Sequence, residues 1–262
     1  MGVVNVTPDS FSDGGRFLDE AAAVAHGLDL VRQGADILDI GGESTRPGAT
    51  PVDQAEEIAR VVPVIAALKR QTSVPISIDT MKPAVARAAV SAGASLWNDV
   101  TALSFAPGSL ATAAALGCEV ALMHMRGEPR TMQSAPAYDD VVEQVAAYLA
   151  ARVAAAVAAG IAEDAIWLDP GIGFGKTPEH NLALIARLDR LVGLGHRVLL
   201  GVSRKRFIQA IDPTAVAGAD RLGGSLAAAL AGARAGAAAV RVHDVREKVQ
   251  ALAMQAAIEA RV

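Results

Sequence analysis

The stretch Pro75-Ile-Ser-Ile-Asp-Thr-Met-Lys-Pro-Ala-Val-Ala-Arg-Ala-Ala-Val-Ser-Ala-Gly-Ala-Ser-Leu-Trp-Asn98 holds one full repeat of the pattern from which this chain is built. A short apolar run, Pro75–Ile78, ends on the carboxylate Asp79. An Ala- and Val-rich segment of helical periodicity follows and stops at Gly93. A second apolar run, Ser95–Trp97, then ends on the carboxamide Asn98. Short apolar runs bounded by turn residues read as buried strands, and a glycine after a helical run closes it in the left-handed conformation. The stretch is a strand–helix–strand unit with a polar side chain at the C-terminal end of each strand.

The unit recurs about every 30 residues in both directions. Six further runs, Gly2–Val6, Ile37–Ile40, Glu119–Met123, Ala165–Leu168, Val198–Val202 and Ala238–Val240, bring the number to eight. Six of the eight follow a glycine stop: Gly34, Gly93, Gly117, Gly160, Gly195 and Gly236. Eight parallel strands joined by helices close into a (β/α)8 TIM barrel of about 250 residues, with its site at the strand C-termini. The expectation is therefore an α/β protein, one barrel domain over residues 1–262. At or just past the strand ends stand Asn5, Thr45, Asp79, Asn98, His124, Asp169, Lys205, Arg241 and His243.

Composition narrows the function. Apolar residues make up 52% and aromatics only 3%, so the core is expected to be Ala, Val, Leu and Ile. A formal net charge of −4 gives no bulk attraction to nucleic acid or anionic membrane. The single cysteine, Cys118, opens an apolar run and reads as a buried thiol rather than a nucleophile. The chain opens directly on a strand, so no signal peptide is expected. The Ala-rich stretch Val141–Gly160 is broken by Glu143, Gln144 and Arg152, which argues against a membrane span. A cytoplasmic location is the expectation.

Two polar connections, Thr7–Arg16 and Gly41–Asp53, leave strand C-termini and read as functional loops; Arg126–Ala137 is a third. Asp169-Pro-Gly-Ile-Gly-Phe-Gly-Lys-Thr resembles a phosphate loop at first sight. Pro170 stands where that pattern needs glycine, and glycines at 171, 173 and 175 do not fit the dinucleotide pattern either. Asp169 then reads in two ways, as the cap of the next turn or as a carboxylate accepting a pair of N–H groups from a flat ligand. Asp79, Asn98 and Asp169 at one mouth favour a polar heterocycle held by complementary hydrogen bonds.

The other half of the mouth is cationic, with Ser203-Arg-Lys-Arg206 after the seventh run and Arg241-Val-His-Asp244 closing the eighth. Phosphate sites commonly sit there in this fold. Arg241 and His243 are two apart, point the same way on a strand, and are expected to grip a phosphate together. Asn5 could bind a metal or a phosphate oxygen; Thr45 and Arg46 add a hydroxyl and a cation. Gly-x-Ser-x-Gly and zinc-ligand spacings are absent. His124, between Met123 and Met125, reads as structural, and His26, His180 and His196 as surface residues.

These motifs identify a resemblance. Asn5-Val-Thr-Pro-Asp-Ser-Phe-Ser-Asp-Gly-Gly15, Gly41-Gly-Glu-Ser-Thr-Arg-Pro-Gly48, Asp169-Pro-Gly-Ile-Gly-Phe-Gly175, Ser203-Arg-Lys-Arg206 and Arg241-Val-His-Asp244 resemble, in order, the dihydropteroate synthases. The resemblance implies a folate-pathway transferase that is a sulfonamide target. It joins 6-hydroxymethyl-7,8-dihydropterin diphosphate to 4-aminobenzoate and releases diphosphate. Asp79, Asn98, Asp169 and Lys205 match the pterin-binding positions, with Met123 also assigned to the substrate site. Asn5 matches the position associated with Mg²⁺ and diphosphate, and Thr45, Arg241 and His243 the diphosphate side. Thr45, Pro47, Phe174, Ser203 and Lys205 fall where the family lines its aminobenzoate pocket, and Arg46 is assigned to the substrate site. Asp79, Asp169, Lys205, Arg241 and His243 carry the implied catalysis. Diphosphate leaves first, and the amine then attacks a pterin-methyl cation. Arg206 departs from the family, many members of which have serine there.

Rival readings are a corrinoid-dependent methyltransferase domain, which would not need the Ser203-Arg-Lys and Arg241-x-His cations, a non-catalytic pterin-binding paralogue and a generic phosphosugar isomerase. The family commonly dimerises, and the Ala- and Leu-rich last helices, Arg221–Gly236 and Val245–Ala260, suit contact with a second copy.

Overall fold

The computed structural model describes residues 1–6, 16–44, 50–127, 132 and 136–261. Thr45, Arg46, Pro47 and most of the first loop lie outside these residues. Strands and helices alternate: β1 (Gly2–Asn5), α1 (Arg16–Arg32), β2 (Leu38–Gly41), α2 (Gln54–Gln71), β3 (Ile76–Asp79), α3 (Pro83–Ala92), β4 (Leu96–Asp99) and α4 (Ser109–Leu116). Then come β5 (Glu119–Met123), α5 (Val141–Ala158), β6 (Ile166–Asp169), α6 (Pro178–Ala186), α7 (Asp189–Val192), β7 (Arg197–Gly201), α8 (Phe207–Ile211), α9 (Leu222–Arg234), β8 (Ala239–Arg241) and α10 (Val245–Glu259). The short α7 and α8 fall in stretches whose periodicity did not announce them.

The strands pair in chain order, all parallel, from β1 to β8. The barrel closes through Val242, which donates to Met1 O at 2.9 Å and accepts from Val3 N at 3.1 Å. Each of the six glycine stops has the positive φ that the sequence demands, from 60° at Gly117 to 119° at Gly93.

Strand alternation sorts the core into two parts. Outward residues such as Val4, Ile40, Ile78, Trp97 and Leu168 are buried against the helices. Inward residues Met1, Leu96, Ala121, Trp167 and Leu199 form a separate plug in the N-terminal half of the barrel. Trp167 donates to Glu119 Oε2 at 2.9 Å, and the Arg197 guanidinium lies 4.2 Å from its ring centre. Burial of each large apolar side chain contributes roughly 1.5–3 kcal/mol. The expectation of a purely aliphatic core is corrected here, since both tryptophans are buried in it. With the lower barrel plugged, every second strand residue above it faces the mouth. That periodicity delivers polar side chains to one place. Among the described helices, α5 alone is long and apolar enough to cross a membrane, but Val142, Val145, Ala146 and Leu149 along it are buried in the barrel–helix core.

Candidate active site

Register sets the first row of the mouth. Asn5 pairs with Gly41, Gly41 with Asp79, and Asp79 with Asn98, so four neighbouring strands point at the same level. Gly41 leaves the space between its neighbours open: a Cβ there would lie 3.8 Å from Asp79 Oδ2 and 4.0 Å from Asn5 Oδ1. Across the barrel, Met123 ends β5 in register with Asp169, which ends β6. Both are buried.

One functional residue was missed in the sequence. Asp39, on β2, is fully buried and faces inward, two residues before Gly41. Its Oδ2 accepts from Arg241 Nε at 2.5 Å and from Asn98 Nδ2 at 3.3 Å. The signal was present, since a carboxylate inside Ile37-Leu-Asp-Ile40 has no place in an apolar strand unless it is paired. Arg241 spends its other arm on Asp79, with Nη2 2.6 Å from Oδ2. Arg241 and His243 have separate partners here. Arg241 is a bridge between Asp39 and Asp79. His243 instead meets Ser203, with its backbone N 3.2 Å and its Nδ1 3.1 Å from Oγ.

Crowding shapes the charges. Burial pushes Asp79 up to about 7, against the pull of Arg241 and with further upward pressure from Asp39. Asp79 Oδ1 is buried and has no hydrogen-bond partner among the described residues. Burial works against the charge of Arg241, but Asp39 and Asp79 outweigh it and hold the guanidinium firmly protonated. Asp169 is also raised by burial, against the pull of Lys205. Its Oδ1 accepts from Gly171 N at 2.6 Å. The turn-cap reading of Asp169 therefore holds for that oxygen.

The cationic run divides. Arg204 is locked to Asp244, with Nε 3.1 Å from Oδ2, and Arg206 is exposed. Only Lys205 turns inward. Its ammonium donates to Ile172 O and lies 4.8 Å from the centre of the Phe174 ring. Burial lowers Lys205 to about 8, partly offset by Asp169. His124 is structural, as expected: burial and the nearby Lys176 hold it down at about 3. His180 is not simply a surface residue; it forms a reciprocal cap with Thr177 at the start of α6.

The second loop is anchored at both described ends. Lys82 Nζ donates to Glu43 and Glu57, each at 2.6 Å, and to Val52 O at 2.8 Å. Glu43 in turn accepts from Val52 N at 3.0 Å. No spacing rule joins residues 43, 57 and 82, so this cluster was not legible in the sequence.

A mouth of buried carboxylates, a carboxamide and two inward cations suits a polar ring with developing positive charge. The comparisons agree. A family model described as pterin binding enzyme matches residues 1–243. Dihydropteroate synthase of Escherichia coli (strain K12) is 47% identical over 253 residues, covering 96% of this chain and 88% of that protein. The structure of Xanthomonas albilineans dihydropteroate synthase with 4-aminobenzoic acid is 52% identical, with a TM-score of 0.93 over 99% of this chain and 92% of that one. The same enzyme in complex with 7,8-dihydropteroate is 49% identical, with a TM-score of 0.90 over 99% of this chain and 93% of that one. This chain belongs to the dihydropteroate synthase family of pterin-binding enzymes.

Proposed function

We propose that the barrel mouth performs this family's transfer through the residues just described. 6-Hydroxymethyl-7,8-dihydropterin diphosphate gives up diphosphate, and 4-aminobenzoate attacks the exposed methylene to give 7,8-dihydropteroate. The C–O bond to diphosphate breaks with its electron pair leaving on oxygen, and the amine nitrogen forms the new C–N bond and then loses a proton. The observation that carries this reading is the unpartnered buried Asp79 Oδ1, facing the mouth beside Asn98. A buried acceptor of this kind calls for a ligand N–H. Asp79 and Asp169 stabilise the cation that forms when diphosphate departs. Asn98 and Lys205 complete the pterin contacts, with Met123 alongside the ring. Arg241, held by two carboxylates, directs its remaining donors to the mouth, and His243 with Ser203 serves the anion side. The aminobenzoate side is assigned to Phe174, Ser203 and Lys205 with Thr45 and Pro47 of the second loop, and Arg46 is assigned to the substrate site.

Mg²⁺ fits beside Asn5. Among the described residues no cluster of three His, Cys, Asp or Glu side chains could hold a metal. Mg²⁺ held by one or two protein oxygens, substrate phosphates and water needs no such cluster. The Asn5 amide oxygen would hold it, and when bound it would neutralise charge on the leaving diphosphate. The binding order follows, with pterin diphosphate first. Tight binding of 4-aminobenzoate to protein lacking both pterin and diphosphate would refute that order.

The direct test incubates the protein with Mg²⁺, pterin diphosphate and 4-aminobenzoate and measures dihydropteroate and diphosphate together. Absence of either product rejects the assignment. The pH dependence adds a second check. Asp79 must be a carboxylate, so kcat/KM falls as pH drops below about 7. Lys205 must be an ammonium, so kcat/KM also falls above about 8. A profile with no bell between these limits contradicts the assigned charge states.

A homodimer is part of this proposal. It is supported by Met254 and Ile258, which are exposed one helical turn apart on α10. Sedimentation equilibrium should give twice the chain mass, and Met254→Glu with Ile258→Glu should return the monomer.

A further inference from the structure

Lys176 is a buried amine with no part in the chemistry above, and burial lowers it to about 7, partly offset by Asp169. It is 2% exposed and lies inside the loop that follows β6. Its ammonium donates to Gly171 O at 2.9 Å, Phe174 O at 3.0 Å and His124 O at 3.3 Å. It also lies 2.9 Å from His124 Nδ1. With His124 as the Nε2–H tautomer, all four neighbours are acceptors, a shell that suits the three N–H bonds of an ammonium. Around this group stand His124 from the end of β5, Asp169 from β6 and Lys205 from the turn after β7.

The loop that Lys176 grips is packed closely against its neighbours. Gly171 has φ +65°, and a Cβ there would lie 1.9 Å from His124 O. The backbone is thus pressed against the end of β5, where no side chain could follow. Gly173 N donates to Asn181 Oδ1 at 2.7 Å, and Tyr138 Oη donates to Gly175 O at 2.8 Å. These hold the far side of the loop. Lys176 holds the near side, through the carbonyl of the very residue whose ring meets Lys205.

We infer that Lys176 is a positioning residue: by holding the Gly171 and Phe174 carbonyls against β5, it sets where the Phe174 ring stands beside Lys205, and so shapes the wall met by the second substrate. This rests on the reading of Phe174 as part of the 4-aminobenzoate pocket. The Asp169 backbone is anchored separately, by its place in β6 and by His124 N donating to its carbonyl at 3.0 Å; its ties to Lys176 are the bond from Gly171 N to Oδ1 and a through-space attraction. The pterin side is therefore less dependent on Lys176.

The test is Lys176→Ala and Lys176→Gln in the full chain, with each substrate varied in turn. For Lys176→Ala the KM for 4-aminobenzoate should rise about tenfold, while that for pterin diphosphate stays within about threefold. Added ethylammonium should lower the 4-aminobenzoate KM of Lys176→Ala, because it refills an all-acceptor shell; ethanol should not. Lys176→Gln keeps two N–H donors, should fall between wild type and Lys176→Ala, and is read alone if Lys176→Ala does not fold. An unchanged 4-aminobenzoate KM overturns the inference, as does an equal rise in both KM values with no response to ethylammonium. Failure of both variants to fold also overturns it, because Lys176 is then a folding residue. Wild-type protein assayed alongside separates the two questions. If it forms no dihydropteroate, the functional reading fails; if it does while the variants behave as wild type, only the role of Lys176 falls.

Discussion

Asp79→Asn lowers kcat/KM by about 10³-fold, measured by dihydropteroate formation, without unfolding the protein. Asp79 Oδ2 engages Arg241, and Oδ1 is the buried acceptor with no partner among the described residues. An amide in its place brings one oxygen and two N–H donors into a space arranged for acceptors. It also removes the negative charge facing the nascent pterin-methyl cation. Stability should move the other way. Asp79 is raised from 3.8 to about 7, so the folded state holds its proton more tightly than the unfolded chain. Its contribution to stability is therefore lost as pH rises from about 4 to about 7. At pH values above this window Asp79→Asn should melt no lower than wild type, with Arg241 still paired to Asp39. An Asp79→Asn protein that keeps full activity would sink the site; one that melts far lower would show that the Arg241 bridge outweighs the crowding of carboxylates.

Lys205→Met lowers kcat/KM by roughly 10²- to 10³-fold and removes the alkaline limb of the pH profile. Methionine keeps the length and the contact with Phe174 but drops the charge. The ammonium now joins three parts of the site, Ile172 O, the Phe174 ring and, through space, Asp169. Its folded pKa is lowered to about 8, so it loses its proton as pH rises past that value in the folded protein. If the falling limb persisted unchanged in Lys205→Met, another group would own it. Full activity in the variant would break the assignment of Lys205 altogether.

Much of this site was legible in the chain. Asp79, Asn98 and Asp169 each close an apolar run, and a strand end in a barrel is a position at the mouth. The six glycine stops were legible because a helix that must turn back into a strand needs a left-handed residue, and glycine adopts it without strain. Pairing was not legible. The sequence shows four cations near the mouth after β7 and in β8, and nothing in their spacing says that Arg204 is committed to Asp244, Arg241 to Asp39 and Asp79, or that Arg206 stays outside. The roles of Asp39 and Lys176 are hidden in the chain for the same reason. Asp39 stands beside isoleucine and Lys176 beside glycine, and each acquires its meaning from a partner, 202 and 52 residues away respectively.

Local order thus carried the architecture. Short apolar runs, helical segments and glycine stops act over neighbouring residues, so the eight-fold barrel and the level of its mouth follow from the chain read in order. Which charges meet was decided only on closing the barrel. Parallel strands bring residue 39 beside 241 and residue 124 beside 176. In that low-dielectric interior, burial, more than sequence, sets which groups keep their protons and which contacts a cation must make.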